Sequence, residues 1–179
     1  LAALAERGKS LDPDRLTRLS KDILKQIQRA DTIMKHLNKL AHSVDNHVAT
    51  VELGELVELV TQLCARFTFL KGVTLEKKPP ADPVMVVTNP FLLENLIGLC
   101  IDVATDLAGA SKSIMLEVET TEPGARIRFA GLKVTSGEAA GLFKPESVAA
   151  LLAALKAVIG INAEAGELVL TLPPDIGAQ

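Results

Sequence analysis

Between Leu16 and Val44 the apolar residues fall on a single helical stripe. Leu16, Ile23, Ala30, Leu37 and Val44 recur at one heptad position, and Leu19, Ile33 and Leu40 fall three residues later, with Gln26 as the polar exception. Ile27, Met34 and Ala41 widen the stripe. A seam this wide suits a four-helix bundle better than a two-stranded coiled coil. Asp12-Pro13-Asp14 supplies the start signal: an N-cap acid, a proline at N1 and an acid in the first turn. Leu1 to Gly8 reads as the last turns of a preceding helix, with Gly8 as its terminator. Nothing else in the chain matches the stripe in length, so a second copy is expected to cover it.

The period then changes repeatedly. Ala49 to Leu53 predicts a short strand, and Leu53 to Leu70 an amphipathic helix ended near Gly72. Val73 to Glu76 predicts a strand, Lys77 to Pro83 a proline-rich turn, and Val84 to Val87 another strand. Pro90 opens an apolar helix over Phe91 to Leu107. Ser113 to Thr120 alternates, Glu122-Pro123-Gly124 turns, and Arg126 to Ala130 returns as the second half of a hairpin. Gly131 to Lys144 is loop-like, Glu146 to Val158 an Ala/Leu-rich helix, and Glu167 to Leu172 a final alternating strand. Helices interleaved with strands that include a hairpin define an α+β class with a mixed sheet.

This order resembles that of sensor histidine kinases: a dimerisation hairpin followed by an ATPase-like module. The stretch LDPDRLTRLSKDILKQIQRADTIMKHLNKLAH looks like the second hairpin helix. VELGELVELVTQLCARFTFLKGVTLEKKPPADPVMVVTNPFLLENLIGLCIDVATDL looks like the first half of the ATPase module. PESVAALLAALKAVIGINAEAGELVLTLP looks like its last helix and strands. The resemblance, running from about Leu1 to Pro173, implies a long helical dimerisation hairpin over residues 1–47, with its first helix truncated. A Bergerat-type α/β sandwich with a mixed sheet and helices on one face would occupy residues 48–179.

The catalytic motifs of that family are where the match stops. Counting from Asn89-Pro90, the magnesium-binding Asn of its N-L-x-x-N-A pattern falls on Val103, next to Ala104. Valine offers no oxygen to a hard cation. Asp102 is adjacent, but one residue along a helix turns it by about 100°. The adenine-reading D-x-G-x-G meets Ala130-Gly131-Leu132-Lys133, so its Asp falls on Ala130 and its first glycine on Leu132. The glycine-rich box expected before the last helix meets Leu142-Phe143-Lys144-Pro145-Glu146-Ser147, where the proline lacks the N–H that a phosphate cradle needs. The nucleotide pocket therefore reads as degenerate, and no cofactor is expected.

The family's phospho-acceptor His belongs to the first bundle helix. The chain opens on Leu1 rather than Met and is read as the trailing part of a longer protein, so that helix is expected mostly upstream. Within the chain only His36, His42 and His47 are available. His36, beside the apolar stripe, is the one weak candidate acceptor; an ordinary flanking residue is the competing reading. Arg18, Lys21, Lys25, Lys35 and Lys39 form a basic outer stripe, either a solvated face or a contact for the acidic pocket of a response-regulator receiver domain. Asp102 and Asp106, four residues apart, form at best a weak cation site.

Composition narrows the remaining classes. Hydrophobic residues make up 48% of the 179 and charged residues 23%, with a net charge of −3. No Lys/Arg run marks a nucleic-acid footprint, and no apolar stretch approaches a bilayer span. Cys64 and Cys100 lie in apolar helical patterns and read as reduced, buried thiols of a cytoplasmic protein. No set of metal ligands recurs at close spacing. The leading expectation is a bacterial phosphorelay protein: a homodimeric, kinase-like scaffold or phosphotransferase without ordinary ATP binding that engages a receiver domain. A divergent but active histidine kinase is the alternative, and an interaction domain without chemistry a third.

Overall fold

The computed structural model describes residues 12–43, 47–134, 143 and 145–177. The expected helix end at Leu1 to Gly8, residue Val44 and most of the loop between Val134 and Pro145 lie outside the described residues. The chain divides into two compact units, Leu1–Lys39 and Leu40–Gln179.

From Pro13 on, the described residues of the first unit are helix, part of α1 (Pro13–Ser43). The start signal works as its chemistry requires: the Asp12 carboxylate accepts from Asp14 N at 3.1 Å, and the Asp12 carbonyl accepts from Leu16 N at 3.1 Å. Lys35 and Asp31 pair at 2.8 Å one turn apart. Among the described side chains, most of the apolar stripe is left in solvent. Ile23, Leu24, Ile27 and Met34 are each at least 50% exposed.

The second unit runs β1 (Ala49–Glu52), α2 (Leu53–Leu70), β2 (Thr74–Lys78), β3 (Met85–Thr88), α3 (Pro90–Asp106), β4 (Ser113–Thr121), β5 (Gly124–Ala130), α4 (Pro145–Leu155), β6 (Val158–Asn162) and β7 (Glu167–Leu172). Five strands form a mixed sheet in the order β2-β4-β5-β7-β6. Only β2 and β4 are parallel, and the connection between them carries α3, as a parallel crossover demands. β1 and β3 make a separate antiparallel pair, extended by the C-terminal segment through Val87 N to Pro174 O at 2.8 Å and Ile176 N to Val87 O at 3.0 Å.

The period-2 alternation sends Ile114, Leu116 and Val118 of β4, Ile127 and Phe129 of β5, and Leu168 and Leu170 of β7 to one face, all buried. Leu53, Leu56, Val57 and Val60 of α2 join them in one core, with Leu93, Leu96, Ile97 and Ile101 of α3 and Leu155 of α4. The opposite sheet face is a ladder of charge. Arg128 bridges Glu117, Glu119 at 3.2 Å and Glu167 at 3.5 Å, while Lys78 meets Glu117 at 2.8 Å. One face packed and one polar is the normal economy of a largely antiparallel sheet.

Two boundaries depart from the sequence reading. The last helix does not reach Val158. It stops at Leu155, where Lys156 takes a left-handed φ of 49° and Ala157 N returns to Leu152 O at 2.9 Å. Val158 instead begins β6, a strand the sequence reading did not anticipate, and is 63% exposed. β2 likewise runs on through Lys77 and Lys78, because both pair with β4.

Candidate functional site

α3 sets the geometry of the site expected from sequence. Asn89 caps it, its Oδ1 accepting from Leu92 N at 2.9 Å, and Pro90 occupies N1. From that start the helical phase is fixed. Leu93, Leu96, Ile97, Cys100, Ile101 and Ala104 face the core. Val103 lies on the flank of that stripe, half-buried and packed against the core. Asp102 points to solvent, where Lys71, just past α2, places its ammonium 3.3 Å from Asp102 and 2.6 Å from Asp106. The two carboxylates thus hold a cation of the protein's own. Hydrogen bonding to Asp106, foremost, raises the Lys71 pKa.

Ala130 ends β5, opposite Met115 and Glu167 in the neighbouring strands. The chain beyond it is stitched on two sides. Gly131 O accepts from Gly109 N at 3.0 Å, and Lys133 N donates to Leu107 O at 2.7 Å, tying it to the residues after α3. Leu132 N donates to Gly166 O at 2.9 Å, tying it to the β6–β7 turn. Gly131 and Gly166 are required here: both have positive φ, and a Cβ on either would come within 2.6 Å of a backbone carbonyl. The Leu132 and Val134 side chains are buried. Positions 103, 130 and 132 therefore come to this end of the fold carrying only apolar side chains, and no oxygen ligand comes from them.

His36 falls within α1, and its side chain is outside those described. His47 is exposed beyond the end of that helix. Pro145 to Ser147 form the first residues of α4; Leu142 and Lys144 lie outside the described residues. Among the described residues no cluster of three His, Cys, Asp or Glu side chains could hold a metal ion. Cys100 is fully buried and its thiol pushed well above the ordinary value by that burial. Cys64 is half-buried and raised for the same reason, with the nearby Asp102 charge adding to it. Neither is poised as a nucleophile.

The structure also shows a cleft that the sequence did not signal. About 640 Å³ opens between the start of α2 and the turn Pro79–Pro83, floored by Leu116 and Val118. An ion pair between Lys77 and Glu58 sits in it, Glu58 also accepting from Gln62. Burial lowers the Lys77 pKa. Its walls belong to segments 19 or more residues apart in sequence, as the Glu58–Lys77 pair already shows, so no local motif announces it.

No protein-family model matches the chain, and no curated protein does. Solved structures do. The catalytic domain of histidine kinase ThkA is 13% identical over 72% of this chain and 97% of its own, with a TM-score of 0.58. The ATP-binding domain of PrrB from Mycobacterium tuberculosis is 20% identical over 72% of this chain and 98% of its own, TM-score 0.58. The Acinetobacter baumannii histidine kinase AdeS is 16% identical over 97% of this chain and 90% of its own, TM-score 0.55. The chain thus has the α+β fold of the ATP-binding modules of sensor histidine kinases. No described helix is long and apolar enough to cross a membrane.

Proposed function

We propose that the chain is a cytoplasmic two-component or phosphorelay protein: a kinase-like scaffold or phosphotransferase that has lost ordinary ATP binding. It dimerises through the hairpin to which α1 belongs and engages a response-regulator receiver domain. Phosphate would pass through a His on the hairpin helix expected before residue 1. The observation that carries the reading is Val103. On the register fixed by Asn89 and Pro90, the magnesium ligand of the resembled family is replaced by a half-buried aliphatic side chain packed against the core.

Ala130 and Leu132 support the same reading. The first lacks the carboxylate that would read adenine. The second puts a buried isobutyl group where backbone would otherwise lie open, on a segment hydrogen-bonded to both its neighbours. The side chains at these positions do not fit a magnesium nucleotide, and no step of the proposed function runs through one. The exposed stripe of α1 supports self-association, since each large aliphatic side chain withdrawn from water contributes about 1.5–3 kcal/mol.

Isothermal calorimetry with Mg-ATP tests the reading. The expected result is no binding tighter than millimolar, because the lost charge-assisted hydrogen bond to adenine, worth about 1.5–3 kcal/mol, together with the lost magnesium ligand would weaken a micromolar site roughly that far. A dissociation constant below about 100 micromolar would instead overturn the loss of ATP binding and favour the divergent, active kinase.

A further inference from the structure

The five-stranded sheet has two open edges, β2 and β6, and they are built differently. Thr74 N donates to Lys112 O at 2.8 Å, so β2 turns the backbone polar groups of Thr74, Glu76 and Lys78 toward β4. Strict alternation through the registers of β4, β5 and β7 then turns Val158, Gly160 and Asn162 toward β7. The N–H and C=O groups of Ile159 and Ile161 are left at the free edge of β6, and among the described residues nothing pairs with them. Edge β2 is guarded by charge, at Glu76, Lys77 and Lys78. β6, Val-Ile-Gly-Ile-Asn, has no charge, no proline and no bulge in its register. It is an edge without the usual protection.

The strand is also complementary to itself. An antiparallel pair of β6 strands centred on Gly160 sets Ile159 of each copy opposite Ile161 of the other. The outward backbone groups of these residues then exchange about four hydrogen bonds. Gly160 meets its own counterpart at the close, non-hydrogen-bonded position, about 4.5 Å between Cα atoms. In the single chain a Cβ there meets nothing within 4 Å. Lys156 and Glu164, both exposed, stand four residues before and four after Gly160. The antiparallel pair brings the Lys156 end of one strand to the Glu164 end of the other, whereas a parallel pair would set like charges together. Ile159 and Ile161, only partly buried against the core, gain cover from their counterparts. The helical layer leaves room for this. α2 packs on β2 and α3, and α3 on α4, so α4 stands on the β6 side. Its Ala149, Ala150, Ala153 and Ala154 are exposed, and Lys156 is the one charged residue over 148–162.

We propose that β6 is a self-association edge, through which a second copy of this chain joins its sheet to the first, antiparallel about Gly160. The contact is separate from the one through α1 and does not depend on the phosphorelay reading. Each of the two contacts is two-fold, so a chain that uses both links dimers into larger assemblies.

The test uses the full chain carrying Ile23→Asp, which weakens the α1 contact, in sedimentation velocity up to about 100 micromolar. A reversible dimer should remain. Gly160→Lys, harmless in the single chain but facing its own charge across the axis, should weaken that dimer at least about tenfold. Lys156→Glu should weaken it several-fold, and adding Glu164→Lys should restore it. Gly160→Cys should form a disulfide-linked dimer on mild oxidation, because only a residue on the axis meets its own copy within disulfide reach; Val158→Cys should not. The cross-link carries the test should Gly160→Lys fail to fold. A monomer at every concentration, with no cross-link at position 160, overturns the proposal. So does a dimer indifferent to both Gly160→Lys and the charge reversal, or cross-linking as ready at position 158 as at 160. Association that Ile23→Asp leaves intact and Gly160→Lys abolishes upholds the β6 edge and removes the α1 contact instead.

Discussion

α1 and α3 carry the same kind of sequence and meet opposite fates. Both have an aliphatic stripe at helical spacing. In α3 the stripe is finished: Leu93, Leu96 and Ile97 are 0% exposed. In α1, Ile27 is 58% exposed and Met34 62%. The difference is not propensity but company, since α3 has a sheet face and two further helices in its own unit. An amphipathic helix is half of an interaction, and only its surroundings reveal whether the other half lies in the same chain.

The comparison can be broken most forcefully at its core side. Ile97→Ala should lower the unfolding free energy by about 2–5 kcal/mol in chemical denaturation, through lost transfer energy and an unfilled cavity. Ile27→Ala, an aliphatic truncation on the other helix, should leave the stability of a dilute, monomeric sample within about 0.5 kcal/mol. If the two substitutions cost alike, α1 is already covered and the contrast fails. Next in size, Ile23→Asp should raise the dimer dissociation constant about a hundredfold or more in sedimentation equilibrium, since a carboxylate would have to enter an apolar seam. A parent protein that stays monomeric at micromolar concentration removes the premise.

Val103→Asn sharpens the comparison at the edge of α3's stripe. Burying an unsatisfied amide there should cost about 1–3 kcal/mol. A neutral result would mean that the position opens onto solvent rather than closing the core. The smallest effect is a pH dependence from Cys100. Burial raises its folded pKa above the ordinary 9.0, so the native state keeps a proton that the unfolded chain loses. Its contribution is fully present below pH 9.0 and falls above it, by about 1.4 kcal/mol per pH unit. Cys100→Ala should flatten the alkaline limb of a stability-against-pH curve. An unchanged slope would place the titration elsewhere.

The contrast also explains what could be read in advance. α3, β4 and β5 were legible because their periods are unmixed and their ends carry Asn89-Pro90 and Pro123-Gly124. β6 was hidden because the helix before it ends on Lys156, a residue that advertises no left-handed turn. β2 was cut short because Lys77 and Lys78 look like turn residues, and only pairing with a strand 39 residues later in register, Lys77 with Leu116, makes them strand. At the site, the identities of Val103, Ala130 and Leu132 were plain, but what holds them was not. The stitching of Leu132 to Gly166 is made by backbone atoms. The clamp of Lys71 on Asp102 and Asp106 joins residues 31 and 35 positions apart. Neither leaves a local pattern to find.

The C-terminal segment strapped onto β3 has a consequence for how the unit can be handled. β1 pairs with one side of β3 and the Pro174–Ile176 segment hydrogen-bonds Val87 from the other. The unit's first strand and last residues thus lie about two strand spacings apart, on the order of 10 Å. A short flexible linker could join them, so the unit is a natural candidate for circular permutation, with new termini cut into the tip between β4 and β5. Any fusion at the C-terminus must begin after Ile176, since a cut at Leu172 would leave the Val87 amide and carbonyl without these partners.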